Sequence, residues 1–135
     1  MYKMPFDESI IYIEPTDMDG DYMNVFDGDG VVMIQKPGCP PCEQTKPEFQ
    51  AFAREIAGGD VQAYTYEYAG GNDVELIGKA VPGFRGFPTI IKIHDGHYVG
   101  THNGARTADA MKEFISATVK DPNEPPRSVG RGTRR

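Results

Sequence analysis

Cys39 and Cys42 are the only cysteines of the chain, and they stand close together as Cys39-Pro40-Pro41-Cys42. Two thiols at this spacing can form half of a metal site or a redox-active dithiol. A secreted disulfide scaffold would instead spread four or more cysteines along the chain. A metal site needs two further ligands, and the chain offers His94, His97 and His102. All three lie far beyond zinc-finger spacing from Cys42, and the gap between His94 and His97 is shorter than the usual finger pair. They also fall on a segment that reads as a surface hairpin. The redox reading makes a different demand. The first sulfur must sit where a strand ends and a helix begins, so that free N–H groups and the helix dipole stabilise its thiolate. The second, one turn on, can then attack the mixed disulfide made by the first.

The surrounding elements meet that demand. Val31 to Lys36 is a short, partly β-branched apolar run that predicts a buried strand. Pro37-Gly38 breaks it. Pro40 and Pro41 are tolerated only in a helix's first turn. From Glu43 the composition is helical, with Phe49, Phe52, Ala53 and Ile56 on one stripe and Gly58-Gly59 as the stop. Pro47 falls inside this helix and predicts a kink. Val61 to Tyr68 reads as a second strand, and Asp73 to Ala80 as a short helix capped by Asn72 or Asp73. Thr89 to Ile93 and His97 to Thr101 flank Asp95-Gly96, a strong hairpin signal. Thr107 predicts the cap of a last helix lined by Met111, Phe114, Ile115 and Thr118. Ile10 to Ile13 reads as an opening strand. Helices between strands imply a partly parallel sheet, and the hairpin adds an antiparallel edge.

Charge and composition bound the remaining possibilities. At 135 residues the chain is one domain's worth, with enough apolar sequence for a modest core. No apolar run approaches the roughly 18 residues of a membrane span, and residues 1 to 13 make a poor signal peptide. The net charge of -6 argues against a nucleic-acid-binding core. Residues 1 to 30 carry -7 of it, while Arg127, Arg131, Arg134 and Arg135 make the end basic. The segment 121 to 135, rich in Pro, Gly and Arg, is expected to be a disordered tail, and residues 1 to 9 a short extension. Asp17-Met18-Asp19-Gly20-Asp21 superficially suggests a calcium loop. Its glycine comes too early and Gly28 stands where the closing Glu belongs, so a loop or a short capped helix is expected. Tyr64, Tyr66 and Tyr68 alternate along their strand and should pack one face of the sheet.

With these elements in place, the sequence resembles the thioredoxin family. Gly38-Cys39-Pro40-Pro41-Cys42 is similar to that family's redox motif, and Pro47 matches the proline that kinks its first long helix. Arg85-Gly86-Phe87-Pro88-Thr89 resembles the segment before its edge hairpin, Asp95-Gly96 the hairpin turn, and Gly104 with the helix from Thr107 the closing element. The resemblance covers about residues 10 to 119. It implies a thioredoxin-like α/β fold: a central mixed sheet of four to five strands flanked by helices, with a C-terminal hairpin and closing helix over residues 10 to 120. It further implies that Cys39 attacks, Cys42 resolves, and the two cycle through a disulfide with no other bound cofactor. Pro88 would be cis and packed on the pair. Gly38, Pro40, Pro41, Phe87 and Pro88 would line the substrate site, with the Phe87 backbone meeting an extended segment.

Three positions depart from the family. Met33 replaces the usual buried Asp, Thr65 the Lys that often faces it, and Gly38 the aromatic before the first cysteine. Losing both charges together is consistent, since burying either one alone is costly. Lys36-Pro37-Gly38-Cys39-Pro40 also resembles the glutaredoxin lead-in, in which the Lys helps hold glutathione. The reading is therefore a cytoplasmic, monomeric oxidoreductase of protein disulfides, recharged by a thioredoxin reductase or by glutathione. Glutathione-dependent reduction, an oxidase or isomerase, and a non-catalytic interaction module remain as alternatives.

Overall fold

The computed structural model describes residues 6–25 and 27–116. The chain runs through β1 (Ile10–Tyr12), a 3-10 turn (Pro15–Asp17), β2 (Met18–Asp19), β3 (Tyr22–Met23), β4 (Asp29–Gln35), α1 (Pro40–Ile56) and β5 (Val61–Glu67). It continues through α2 (Asp73–Ala80), β6 (Thr89–His94), β7 (His97–Thr101) and α3 (Ala108–Ser116). The strands form one sheet in the order β1-β5-β4-β6-β7-β3-β2. β1, β5 and β4 run parallel, and β4, β6, β7, β3 and β2 pair antiparallel in succession.

β4 lies at the centre of this arrangement because its side chains are apolar on both faces. Val31, Val32, Met33 and Ile34 are all fully buried, as expected for a strand covered by helices on both sides. Val31 and Met33 pack with Phe49, Phe52 and Ala53 of α1 and Met111 of α3. Val32 and Ile34 pack on the other face with Tyr64, Tyr66, Ile77 and Ala80. Tyr64 and Tyr66 thus share one core face, and Tyr68 lies just past the end of β5, against the Phe87 ring. Residues ahead of β1 are tied to α1. The Phe6 ring packs on Phe49, and Asp7 accepts from Gln50 and Arg54.

The sheet has seven strands among the described residues, where the sequence led us to expect four to five. The difference is the segment from Asp17 to Met23. Asp17 closes a short capped 3-10 turn, its carboxylate accepting from the Glu14 N–H, but Met18 to Met23 form a tight hairpin and not a loop, turned at Gly20 with φ +63°. Met18 and Met23 point into the core while Asp19 and Asp21 face solvent. The Met23 N–H donates to the Gly96 carbonyl at 2.8 Å, and Tyr22 pairs with His97, so the hairpin extends the sheet beyond β7. Asp95 and Gly96 both take positive φ, +50° and +86°, as the two-residue turn between β6 and β7 requires. Helix α1 starts at Pro40, with Pro40 and Pro41 in its first turn as their chemistry required, and runs on through Pro47. Neither Asn72 nor Asp73 caps α2 with its side chain; the Asp73 carboxylate instead accepts from the Ala69 N–H at 2.8 Å. Thr107 does cap α3, accepting from the Ala110 N–H at 3.1 Å. Thr118, Val119 and the basic tail lie outside the described residues.

Candidate active site

β4 ends at Gln35, and Lys36 to Gly38 carry the chain from the sheet to the mouth of α1. Cys39 is the N-cap of that helix, with φ -105° and ψ 107°. Pro40 and Pro41 occupy the first two helical positions, where neither has an N–H to offer. Cys42 therefore supplies the first free backbone donor of the helix. Its N–H points at Cys39 Sγ, 3.2 Å away. The two sulfurs are joined as a disulfide, with their Cα atoms 5.2 Å apart. Cys39 retains 6% exposure and Cys42 none. The outer sulfur is thus the one that a substrate can reach, and the inner one is shielded.

The opposite wall comes from a distant loop. The Phe87–Pro88 peptide is cis and Pro88 is buried. The Phe87 carbonyl lies 3.9 Å from Cys39 Sγ. In the disulfide this is a contact, because the sulfur carries no hydrogen; in the reduced state a Cys39 thiol could donate there. The Phe87 ring packs between Tyr68 and Phe84, at centroid distances of 5.4 and 5.3 Å. Lys36, expected either in solvent or on glutathione, extends its Nζ over the same ring, 5.5 Å from the centroid. That is cation–π geometry. Thr89 holds the loop by donating from its hydroxyl to the Gly86 carbonyl at 2.5 Å.

Gly38, which stands where the family has an aromatic, carries a backbone constraint of its own. It takes φ +72°, and a Cβ built on it would meet nothing within 4 Å. Its backbone conformation, not the space around it, favours glycine.

Met33, at the position of the family's buried Asp, joins both cysteines in one buried apolar cluster. Thr65 donates its hydroxyl to the Met33 carbonyl at 2.8 Å and accepts from Gln35 Nε2 at 2.9 Å. The paired charges of the family are thus replaced by a neutral, buried chain of hydrogen bonds. Gln35 escaped the sequence reading because it ends an otherwise apolar strand, and nothing local shows that it is buried. The three histidines stand apart from the thiols. His94 is bonded to Asp29, His97 lies on the Tyr22 ring, and His102 lies on the Phe114 ring. Among the described residues no three His, Cys, Asp or Glu side chains converge as a metal site would require. No helix among them is long and apolar enough to cross a membrane.

A cavity of about 520 Å³ opens beside Pro88 and Thr89, and Arg85, Tyr98, His102 and Arg106 also line it. A second, of about 350 Å³, lies between the first turns of α1 and the loop Gly104 to Arg106. Arg106 lines both and was missed in the sequence; an arginine between a loop glycine and a helix cap is locally unremarkable.

Comparison with known proteins places this geometry. The solved J-Trx1 fragment of ERdj5 superposes with a TM-score of 0.65 at 21% identity, covering 85% of this chain and 54% of the fragment. The Trx4 domain of ERdj5 gives 0.63 at 20% identity, covering 82% of this chain and 95% of the domain. Full-length ERdj5 gives 0.63 at 19%, and there the chain spans only 16% of the longer protein. Identities this low establish a shared fold and nothing more. No curated protein matches the sequence. The profile of the Thioredoxin family, however, matches residues 21–117, which span β3 through α3 and include both cysteines and Pro88. The chain belongs to the thioredoxin family.

Proposed function

We propose that this protein is a thiol–disulfide oxidoreductase acting on disulfides in protein substrates. The observation that carries the reading is the Cys39 sulfur at the N-cap of α1, 3.2 Å from the Cys42 N–H and facing the Phe87 carbonyl. In the reduced protein, that N–H and the helix end favour the Cys39 thiolate. The thiolate attacks one sulfur of a substrate disulfide. A Cys39–substrate bond forms, the substrate S–S bond breaks, and one substrate thiolate leaves and takes up a proton. Cys42, deprotonated in its turn, attacks Cys39 Sγ. This closes the Cys39–Cys42 disulfide and releases the second substrate thiolate, which is also protonated. Two electrons pass to the substrate, and the two protons lost by the cysteines balance those gained. Met33 replaces the family's buried Asp, so the proton acceptor for Cys42 is not that carboxylate, and water can serve. A thiol donor, either a thioredoxin reductase or glutathione, returns the two electrons in the cytoplasm.

Insulin reduction with dithiothreitol as donor tests the reading. Cys39→Ser should abolish turnover, and Cys42→Ser should accumulate a mixed disulfide visible by mass spectrometry. Equal rates for wild type and Cys39→Ser would refute the enzymatic reading and leave a non-catalytic binding module.

A further inference from the structure

Two cavities that adjoin the disulfide, through Pro88 and through Pro41, have basic but no acidic side chains in their lining, against the charge of the protein. The chain has a net charge of -6. Yet the larger cavity beside Pro88 is lined by Arg85, His102 and Arg106 and by no acidic residue. The smaller one, against the first turns of α1, again has Arg106 and no acid. Arg85 and Arg106 are exposed, and neither forms an ion pair among the described residues. The α1 carboxylates nearest in sequence to the disulfide are engaged elsewhere: Glu43 with Lys46, and Glu48 with the Ala108 N–H. The loop that presents Arg106 is fixed, because His102 Nε2 donates to the Ala105 carbonyl at 2.6 Å. A further cation, Lys36, sits over the ring of Phe87, the residue joined to Pro88 by the cis bond.

We propose that this groove selects polypeptide segments with a carboxylate side chain next to the target cysteine, and that Arg85 and Arg106 are its specificity-determining residues. The inference rests on the oxidoreductase reading. A segment lying along the Phe87 backbone in extended form advances about 3.3 Å per residue. Its side chains then alternate between the sulfurs and the flanks. Arg85 stands three residues before Pro88 on the same loop, and Arg106 lines both the cavity that holds Pro88 and the one that holds Pro41, so both border the segments that frame the disulfide. An acidic neighbour of that cysteine gains from unpaired guanidinium groups that need not give up an existing partner. A basic neighbour meets like charge, which penalises the wrong substrate. The negative field of the rest of the molecule repels an acidic segment except at this rim.

The test uses cystine-linked peptide dimers that are identical except for Glu, Gln or Lys on both sides of the cysteine, with glutathione disulfide as a fourth substrate. Rate constants for oxidation of the reduced full-length protein are measured at low and at high salt. Reduction should be fastest with the Glu peptide and slowest with the Lys peptide. Each arginine should contribute about two- to fivefold to the Glu/Gln ratio, and the ratio should collapse at about 1 M salt. Arg106→Glu combined with Arg85→Glu should invert the order. Because the readout is a ratio of rates on one protein, a general loss of stability cannot mimic it. Equal rates for the Glu and Lys peptides at low salt would overturn the inference alone, as would an order that survives both substitutions. An arginine-dependent preference for glutathione disulfide over every peptide would also overturn it, by making the site one for a small thiol. Reduction of none of them would overturn the oxidoreductase reading and this inference with it.

Discussion

Gly38 provides the sharpest test of how the backbone builds the site. The residue sits at φ +72° between β4 and the Cys39 cap, and a Cβ there meets no atom within 4 Å. Gly38→Ala therefore isolates the backbone contribution, with no steric clash to confuse it. Forcing an L-residue into this region costs about 1–2 kcal/mol. The loss of flexibility in the unfolded chain offsets roughly 0.4–1 kcal/mol of that. The net expectation is a destabilisation of about 1 kcal/mol. Gly78 in α2 is the matched control, also open within 4 Å but at an ordinary helical position. Gly78→Ala should stabilise by about 0.5–1 kcal/mol. Gly38→Asn should cost less than Gly38→Ala, because Asn tolerates the left-handed region. The assay is urea unfolding of the oxidised proteins. With a slope of about 1–3 kcal/mol per molar, Gly38→Ala should lower the midpoint by about 0.3–1 M, and Gly78→Ala should raise it. A Gly38→Ala protein as stable as wild type, or both variants shifting the same way, would refute the backbone argument.

Other substitutions probe the core, the helix packing and the alkaline limb. Gly30 lies in β4 under the Tyr64 ring, and a Cβ there would stand 2.6 Å from Tyr64 Cε1 and 3.1 Å from Ile93 Cγ1. Both neighbours are buried, so Gly30→Ala should cost about 1–3 kcal/mol in urea unfolding. Glu48 Oε1 accepts from the Ala108 N–H at 2.8 Å and fastens the start of α3 to α1. Glu48→Ala should remove about 1–2 kcal/mol and speed amide exchange in α3 ahead of β4. Burial first, and the nearby Asp73 carboxylate second, hold the Tyr66 phenol above its ordinary pKa of 10.0. The folded chain keeps this proton after the unfolded chain has lost it. Stability present below pH 10 therefore declines as pH rises further. Tyr66→Phe should flatten that decline in melts taken between about pH 9 and 11; an unchanged slope would show that other groups set it.

Much of this was legible in the sequence because it depends on short-range rules. A strand, a Pro-Gly break and two prolines that fit only a helix's first turn fix where Cys39 must lie. Asp95-Gly96 fixes the hairpin, and the apolar runs fix β4, β5 and β6. The elements that were missed depend on distant partners. β2 and β3 hold two residues each, too few for an alternating pattern, and they exist as strands because β7 and Gly96 offer bonds to Tyr22 and Met23. Gln35 becomes part of the site only through Thr65, thirty residues away. Arg106 matters through a cavity whose other walls come from the segments 81–90 and 98–104. Gly38 was noticed as a departure from the family's aromatic; its positive φ becomes visible only once the direction of α1 relative to β4 is known.

The small hairpin of β2 and β3 also bears on how the molecule behaves among its own copies. Without it, β7 would be the margin of the sheet, with unused backbone donors and acceptors that invite strand pairing between molecules. The hairpin meets that margin at His97, where Tyr22 pairs, and sets the exposed Asp19 and Asp21 beside it. A second acidic copy approaching this end of the sheet, opposite β1, meets like charge before it meets a free strand edge.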